Sequence, residues 1–324
     1  MTTVDRVATA SQTAYFLTQI ENAGSALDKT QEQIASGVNS NTYAGFGDQT
    51  QVLTATLAAN ARNSAYTTAT NLASTQVSLQ DTQLTSLSSL ASQLQKAISD
   101  AVANNDASDL MTQAQSIFSQ AQNILNSQDA NGNYLFGGGN VTNPPVTVSS
   151  LSALAALPTA TPPLSNAFQN GSFQTSVQVA DGQSVTYGVT ASDVGTGLMQ
   201  ELQSLAQFDA SANGNLNNAT SLSSAQNSFL TGAISTASTT ANGLNAATAA
   251  NGYVANQLTD AQTQQTSMNT LYKGFASNIQ DTNMADAATQ LSLNQTQLQA
   301  ALQVTAGLHQ LSLLNYLPTS STGG

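Results

Sequence analysis

Four stretches of the chain repeat apolar or small residues at alternating steps of three and four, and this spacing constrains the fold more than any other feature of the sequence. It places one stripe of side chains along one face of an α-helix, and it is typical of helices that pack side by side along their length. The repeats run from Leu17 to Val38, from Tyr66 to Ala101, from Leu258 to Ile279 and from Met284 to Leu302. We therefore expect long packed helices towards both ends of the chain.

The four stripes are only weakly apolar, because Gln and Thr occupy some of their positions and Ala occupies many. Met268 and Phe275 supply large side chains to the third stripe. Each buried methylene contributes only about 0.8 kcal/mol, so alanine-rich stripes stabilise a helix pair modestly. We expect the two outermost helices to be unstable on their own. Shorter helical patterns predict two further helices, at 110–125 and at roughly 194–208.

The middle of the chain, from Gly137 to about Asp193, has a different pattern and contains five of the six prolines. Within it the sequence FQTSVQVADGQSVTYGVT alternates apolar and polar residues on both sides of Asp181-Gly182. An Asp-Gly pair between alternating β-branched and aromatic residues is the strongest short signal for a β-hairpin. The apolar positions of the predicted hairpin are Val177, Val179, Val185, Tyr187 and Val189.

These patterns together predict a mainly α protein with a small β-rich insert domain in the middle. Both terminal regions should form a long helical rod that resembles a coiled coil. We predict three domains. A terminal helical domain for assembly comprises 1–40 plus 284–324, a helical rod domain comprises 41–136 plus 194–283, and a β-rich outer domain comprises 137–193.

The composition excludes several classes of partner. Charged residues make up 7% of the chain, the net charge is −12, and only five residues are Lys or Arg. Contacts to phosphates need clustered basic residues, so we expect no binding to nucleic acid or to an anionic membrane surface. We also expect no membrane insertion, because no run of about 18 apolar residues is present. The amino-terminal residues lack the apolar core of a cleavable signal peptide.

No group of residues has the pattern of a catalytic site. His309 is the only histidine, there is no cysteine, and neither glycine-rich segment is followed by the Lys-Ser/Thr of a phosphate loop. Asp129, Asn131 and Asn133 alternate as in a calcium loop, but the glycine and the final glutamate are misplaced. We interpret this segment as a turn between a helix and a hairpin. The sequence predicts no catalytic residue, no cofactor and no metal site, and therefore no enzyme.

Several segments resemble the flagellin superfamily of bacterial flagellar proteins. They are RVATASQ near the start, QEQIASGVNSNTYAGFGD after the first helix, NGNYLFGG before the insert, and IQDTNMADAATQLSLNQTQLQAALQVTAGLHQLSLLNYL at the end. The ending QLSLLNYL is most similar to the hook-associated protein 3 branch, which forms the hook–filament junction, and flagellin is the close alternative. The family usually carries an acidic pair after the first Ser-Gly, whereas this chain has only Asp48 there. The family motif is Tyr134, Leu135, Phe136, Gly137 and Gly138.

This resemblance implies a structural subunit without catalytic activity, located in the extracellular flagellum. Proteins of this family are exported by the flagellar type III apparatus without a cleaved signal peptide, with the help of a cytoplasmic chaperone. The implied partners are further copies of the same chain, hook-associated protein 1 and flagellin. A secreted adhesin is a less favoured alternative, because the insert contains few aromatic residues for a binding platform.

The apolar run from Leu308 to Leu317 lies almost at the end of the chain, where an unsupported helix would fray. We expect the last helix to pair with the first, and neighbouring copies to cover the apolar surface that this pair leaves exposed. The predicted assembly face comprises Leu17, Ile20, Leu27, Ile34, Leu291, Leu298, Leu302, Leu308, Leu311, Leu313, Leu314 and Leu317.

Overall fold

The structure is a computed structural model that describes residues 3–158 and 164–314, with side chains described for 11–158 and 164–307. The described residues form two compact units, unit 1 (Met1–Ala61 with Thr270–Gly324) and unit 2 (Arg62–Asn269). Two short 3₁₀ helices cover Tyr43–Gln49 and Leu216–Asn218. The main elements are α1 (Thr3–Ser36), α2 (Thr50–Asn104), α3 (Leu110–Leu125), α4 (Leu151–Ala155), β1 (Thr175–Ala180), β2 (Gln183–Tyr187), α5 (Ala191–Asp209), α6 (Ser224–Gln280) and α7 (Met284–Leu314).

The predicted fold class is confirmed, because long helices dominate the chain and a two-stranded sheet lies in its middle. In unit 2 the stripe predicted for α2 is buried along most of its length. Leu84, Leu87, Leu94 and Ile98 are fully inaccessible to solvent. They belong to one apolar core that also contains residues of α3, α5 and the first half of α6. The division into three domains stays a prediction.

Helices α3 and α5 complete the core of unit 2. α3 spans Leu110–Leu125, as the sequence predicts, and buries Phe118. α5 begins three residues before its predicted start, because Thr190 and Asp193 form a capping box in which each side chain accepts a hydrogen bond from the other residue's backbone N–H. Such a box satisfies two backbone donors at the helix start that would otherwise lack a partner.

The predicted hairpin is confirmed as β1 and β2, which pair antiparallel around Asp181-Gly182. Gly182 has a φ of +73°, a left-handed conformation that glycine adopts without strain. The buried side chains of Val177, Val179 and Tyr187 form a second small core with Ala73, Val77 and Leu258 of α2 and α6. The hairpin is therefore attached to the two long helices by its apolar face.

Buried amides also hold α2, α6 and the hairpin together. Gln265 Nε2 of α6 donates to Thr70 Oγ1 of α2 at 2.9 Å and to the carbonyl of Val179 in β1 at 2.8 Å. Asn251 Nδ2 of α6 donates to the carbonyl of Val77 at 3.0 Å. These amide N–H groups are tolerated inside the interface because they are hydrogen-bonded, so the weakly apolar stripes still specify one register.

The stripe predicted for the carboxyl-terminal half of α6 is wrong at two positions. Gln265 is buried as predicted, but Met268 is 37% exposed and Phe275 is 50% exposed, whereas the neighbouring Ala276 is buried. The prediction assumed a strict repeat of 3.5 residues per turn. A straight α-helix has about 3.6 and drifts by roughly 20° per heptad, so in a helix as long as α6 the buried face moves to neighbouring positions.

Candidate assembly surface

Unit 1 is built around the pairing of α1 with α7. At its centre Asn294 Nδ2 of α7 donates to Thr30 Oγ1 at 2.9 Å and to the carbonyl of Ala26 at 3.1 Å, both in α1. Thr30 Oγ1 donates in turn to the carbonyl of Ala26 at 2.9 Å. Asn294 and Thr30 are 9% and 6% exposed. This buried polar contact fixes the rotation and register of the two helices, because sliding either one would leave a buried amide without a partner.

The segments that follow α1 and α6 form a second attachment in unit 1. Asn39 N donates to the carbonyl of Gln280 at 2.7 Å, and Thr282 N donates to the carbonyl of Gly37 at 2.9 Å. Asn39 Nδ2 also donates to the carbonyls of Ile279 and Asp281, at 3.0 and 3.1 Å. Asn39 thus donates to the carbonyls of three successive residues, 279–281, and fixes the turn between α6 and α7.

The predicted pairing of apolar residues is correct in part. Ile20, Leu27 and Ile34 of α1 and Leu291 and Leu298 of α7 are partly buried. By contrast, Leu17 is 51% exposed and Leu302 is 50% exposed, so neither of them packs inside the helix pair. The buried face of α7 instead passes through Ala287 and Asn294, since the hydrogen bonds of Asn294 to α1 set the helix rotation.

Large apolar side chains remain exposed on the described part of unit 1. Both helices carry some, and on α7 they point in several directions around the helix. A helix that is apolar all round is normally buried. On α1 and α7 the exposed large apolar side chains are Tyr15, Leu17, Met284, Leu293, Leu302 and Val304. The side chains of Leu308, Leu311, Leu313, Leu314 and Leu317 lie outside the described residues.

The family-motif residues are part of the packing of unit 2. Leu135 and Phe136 are 5% and 0% exposed. The carbonyl of Leu135 accepts a hydrogen bond from Gln80 Nε2 at 2.7 Å. Gly138 has a φ of +54°, and its backbone runs so close to Gly171 that a side chain would collide with it. The motif thus holds a tight turn against the core, whereas the predicted assembly face belongs to unit 1.

Sequence reasoning missed the polar residues that join the helices, namely Thr30, Asn39 and Asn294. Ser, Thr, Asn and Gln occur throughout this chain, so no local signal distinguishes these three from exposed ones. Asn294 lies between Leu291 and Leu298 in a spacing of three and four, which is the one clue that it faces the partner helix.

The structure places the calcium-like segment in a tight turn after α3. Asp129 Oδ1 accepts hydrogen bonds from the backbone N–H of Asn131 and Asn133 at 2.8 and 2.9 Å. Partial burial opposes ionisation, but these hydrogen bonds outweigh it and hold the pKa of Asp129 below its usual value. Among the described residues no three His, Cys, Asp or Glu side chains cluster as metal ligands would. Likewise, no helix in the described ranges is long and apolar enough to cross a membrane.

Comparison with known proteins identifies the carboxyl-terminal region of the chain. Residues 233–317, which include most of α6 and all of α7, match the family model for the bacterial flagellin C-terminal helical region. The chain therefore carries a flagellin-type carboxyl-terminal region, and the resemblance to the flagellin superfamily that the sequence indicates is confirmed. No curated protein sequence matches the chain.

Solved structures show which fold surrounds that region. A protein from Vibrio parahaemolyticus designated a flagellar hook-associated protein is similar with a TM-score of 0.58 and 17% identity, covering 72% of this chain and 97% of that one. FlgL from Bacillus cereus matches with a TM-score of 0.48 and 12% identity, over 69% and 98% of the two chains. The first similarity shows a shared fold, and together with the family match it supports a structural role in the flagellum.

Replacing Asn294 by Ala should loosen the α1–α7 pair by about 1 to 2 kcal/mol, because both hydrogen bonds from its side chain to α1 are lost. Hydrogen exchange of the paired segments of α1 and α7 should accelerate about 5- to 30-fold in this variant. Gln295→Ala is the matched control, since Gln295 is the exposed neighbour on the same helix. Equal exchange in the two variants would contradict the assigned role of Asn294.

Proposed function

We propose that this chain is a structural subunit of the bacterial flagellum that forms the junction between hook and filament. The observation that carries the proposal is the α1–α7 pair, in which α7 belongs to the flagellin-type carboxyl-terminal region and large apolar side chains such as Leu17 and Leu302 stay half exposed. Exposed apolar surface of this kind marks an interaction site, and further copies of the chain are the partners proposed to cover it.

The remaining partners and the location follow from the same proposal. Hook-associated protein 1 would contact the subunit on the hook side and flagellin on the filament side. A cytoplasmic chaperone would hold the exposed terminal helices before export by the flagellar type III apparatus, and the mature subunit would be extracellular without cleavage of a signal peptide. No catalytic step is part of the proposed role.

A filament-forming flagellin is the second candidate, because the matching family model is that of flagellin itself. Immunogold electron microscopy of intact flagella separates the two. We expect label in one band next to the hook, and deletion of the gene should leave cells that shed flagellin into the medium. Label along the whole filament would overturn the junction assignment in favour of a flagellin.

Replacing both Leu17 and Leu302 by Asp should reduce incorporation into flagella at least about tenfold. Burying each leucine contributes on the order of 1.5 to 3 kcal/mol, and burying an unpaired carboxylate costs more still. Leu72→Asp is the matched control, because Leu72 is 66% exposed on α2 in unit 2, outside the predicted assembly face. The measurement is the amount of variant protein in sheared flagella, with circular dichroism of the monomer to confirm folding. Normal incorporation of the double variant would contradict the proposed face.

A further inference from the structure

A groove of about 490 Å³ separates α5 from α6 in unit 2. The two helices approach closely at Gly197, where a Cβ would lie 3.3 Å from Thr240 Cγ2. The volume lies in the range of small-ligand sites, which is roughly 300 to 1,000 Å³. The residues that line the groove are Asp193, Val194, Gly197, Gln200, Glu201, Ser204, Thr236, Thr239, Thr240, Gly243, Leu244 and Ala247.

Glu201 is the unusual residue of this groove. It is 3% exposed, and its Oε1 atom is buried without a hydrogen-bond partner. Glutamate is among the residues least often buried unless it is paired. Burial raises the pKa of Glu201 from its usual value to about 7, because the apolar surroundings disfavour the carboxylate. The fold therefore keeps a buried carboxyl oxygen without a hydrogen-bond partner in the wall of this groove.

The residues that line the groove provide no positively charged partner for the Glu201 carboxyl. The charged residues that line the groove are Glu201 and Asp193, both acidic, with no Lys or Arg among the lining residues. Asp193 is already engaged, since its Oδ2 accepts a hydrogen bond from Thr190 N at 3.2 Å in the capping box of α5. Thr239 donates to the carbonyl of Ser235 and so does not turn its proton to Glu201. The groove thus combines one free carboxyl, several hydroxyls, and apolar walls from Val194, Leu244 and Ala247.

We propose that this groove binds an organic cation, a primary ammonium or guanidinium group on a short alkyl chain, whose charged end pairs with the carboxylate of Glu201. The alkyl chain would contact the apolar walls, and the remaining N–H groups would reach the threonine and serine hydroxyls. Charge-assisted hydrogen bonds of this kind are the strongest that a buried carboxylate makes. A metal ion fits poorly, because Ca²⁺ takes six to eight oxygen ligands and one free carboxyl supplies two at most.

The same cationic group has two possible sources. It occurs in free amines such as putrescine and agmatine, and in the lysine or arginine side chain of a docked protein. Capped amino acids distinguish them. Binding of N-acetyl-lysine methylamide as tight as that of n-butylammonium assigns the site to a protein side chain, whereas binding restricted to free amines assigns it to a small molecule. Either result supports a cation site.

The test uses the full-length protein with n-butylammonium and n-butylguanidinium as probes, and with n-butanol as a neutral control of similar shape. We expect dissociation constants in about the millimolar range from isothermal titration calorimetry, as suits ligands of this size. Binding requires the ionised carboxyl, so the apparent Kd should be about tenfold lower at pH 8 than at pH 6 for a group with a pKa near 7. Carboxyl resonances of labelled glutamate should show the pKa of Glu201 falling when a probe is bound.

Three variants test whether binding depends on the Glu201 charge and on the open groove. Glu201→Gln preserves the shape of the side chain and should abolish cation binding. Asp260→Asn changes the net charge equally at an exposed position and should bind as the unmodified chain does. Gly243→Leu retains Glu201 but fills the groove, since nothing lies within 4 Å of a Cβ at this position. It should weaken binding at least tenfold while the helix stays folded, because leucine favours helix more than glycine does.

The binding results either support the cation site or overturn it. Loss of binding in Glu201→Gln and Gly243→Leu, with retention in Asp260→Asn and no binding of n-butanol, supports the site. If neither cation binds, or if both bind equally well to Glu201→Gln, the groove is a hydrated gap between two helices and the proposal is wrong. The result is independent of the proposed flagellar role, because it is measured on the isolated monomer.

Discussion

Replacing Phe136 by Ala is expected to lower the free energy of unfolding of unit 2 by about 3 to 5 kcal/mol. Phe136 is fully buried in the apolar core shared by α2, α3 and α5. Removing the ring loses the free energy gained by transferring it from water to the core. It also leaves a cavity that the surrounding residues fill only in part. The backbone carbonyl of Phe136 also accepts a hydrogen bond from Ala191 N at 2.9 Å, so collapse of the site would disturb the start of α5.

The measurement is urea denaturation followed by circular dichroism, with hydrogen exchange to locate the loosened elements. Phe173→Ala is the matched control, because Phe173 is 66% exposed and its loss should change stability by less than about 0.5 kcal/mol. Phe136→Leu keeps most of the volume and should give a smaller loss, which maintains the test if the alanine variant does not fold. Equal stabilities of the Phe136→Ala and Phe173→Ala variants would show that the family motif does not support the core.

Glu201→Gln should stabilise the protein at neutral and alkaline pH and change the pH dependence of its stability. The pKa of Glu201 is about 7 in the folded chain, above its usual value of 4.5. Between these values the unfolded chain has lost the proton and the folded chain retains it, so the unfolded state binds fewer protons. Stability therefore falls as pH rises from about 4.5 to about 7, and it is level above that.

The glutamine variant lacks this titration, so its advantage should be absent near pH 4 and reach about 2 kcal/mol at pH 8. This value is set below the full linkage because local relaxation and water penetration lower the cost of ionising a buried group. Urea midpoints at pH 4, 6 and 8 measure the effect. Asp260→Asn provides the control, since Asp260 is exposed and should show no such trend. A constant difference between Glu201→Gln and the unmodified chain across this range would exclude titration of Glu201 as the cause.

Patterns made of large apolar residues or of turn-forming residues predicted the structure correctly. In α2 every Leu, Ile and Val of the predicted stripe is buried, because large apolar side chains dominate the choice of helix face. The hairpin was equally well determined, since Asp181-Gly182 fixes both the turn and the register of β1 and β2. Asp129 and its neighbours likewise form a turn that depends only on local hydrogen bonds.

The pairing of the two terminal helices was predictable, whereas the assembly face itself stays a prediction. The sequence indicated that the first and last helices pair, and α1 does pack on α7. It placed Leu302 on the side of α7 that meets α1, together with Leu291 and Leu298, although apolar residues occur on more than one side of that helix. With no single apolar face to select, two hydrogen bonds from Asn294 set the rotation, and Leu302 therefore points to solvent.

The sequence by itself thus determined the helical class, the position of the hairpin, the core stripe of α2 and the apolar character of both terminal helices, because these depend on local spacing and on strongly apolar residues. Only the tertiary structure decided the rotation of α6 and α7 and the burial of Asn294 and Glu201. Polar and small residues have no strong preference for inside or outside on their own. Their environment is set by whichever helix packs over them, and that contact is a property of the whole fold.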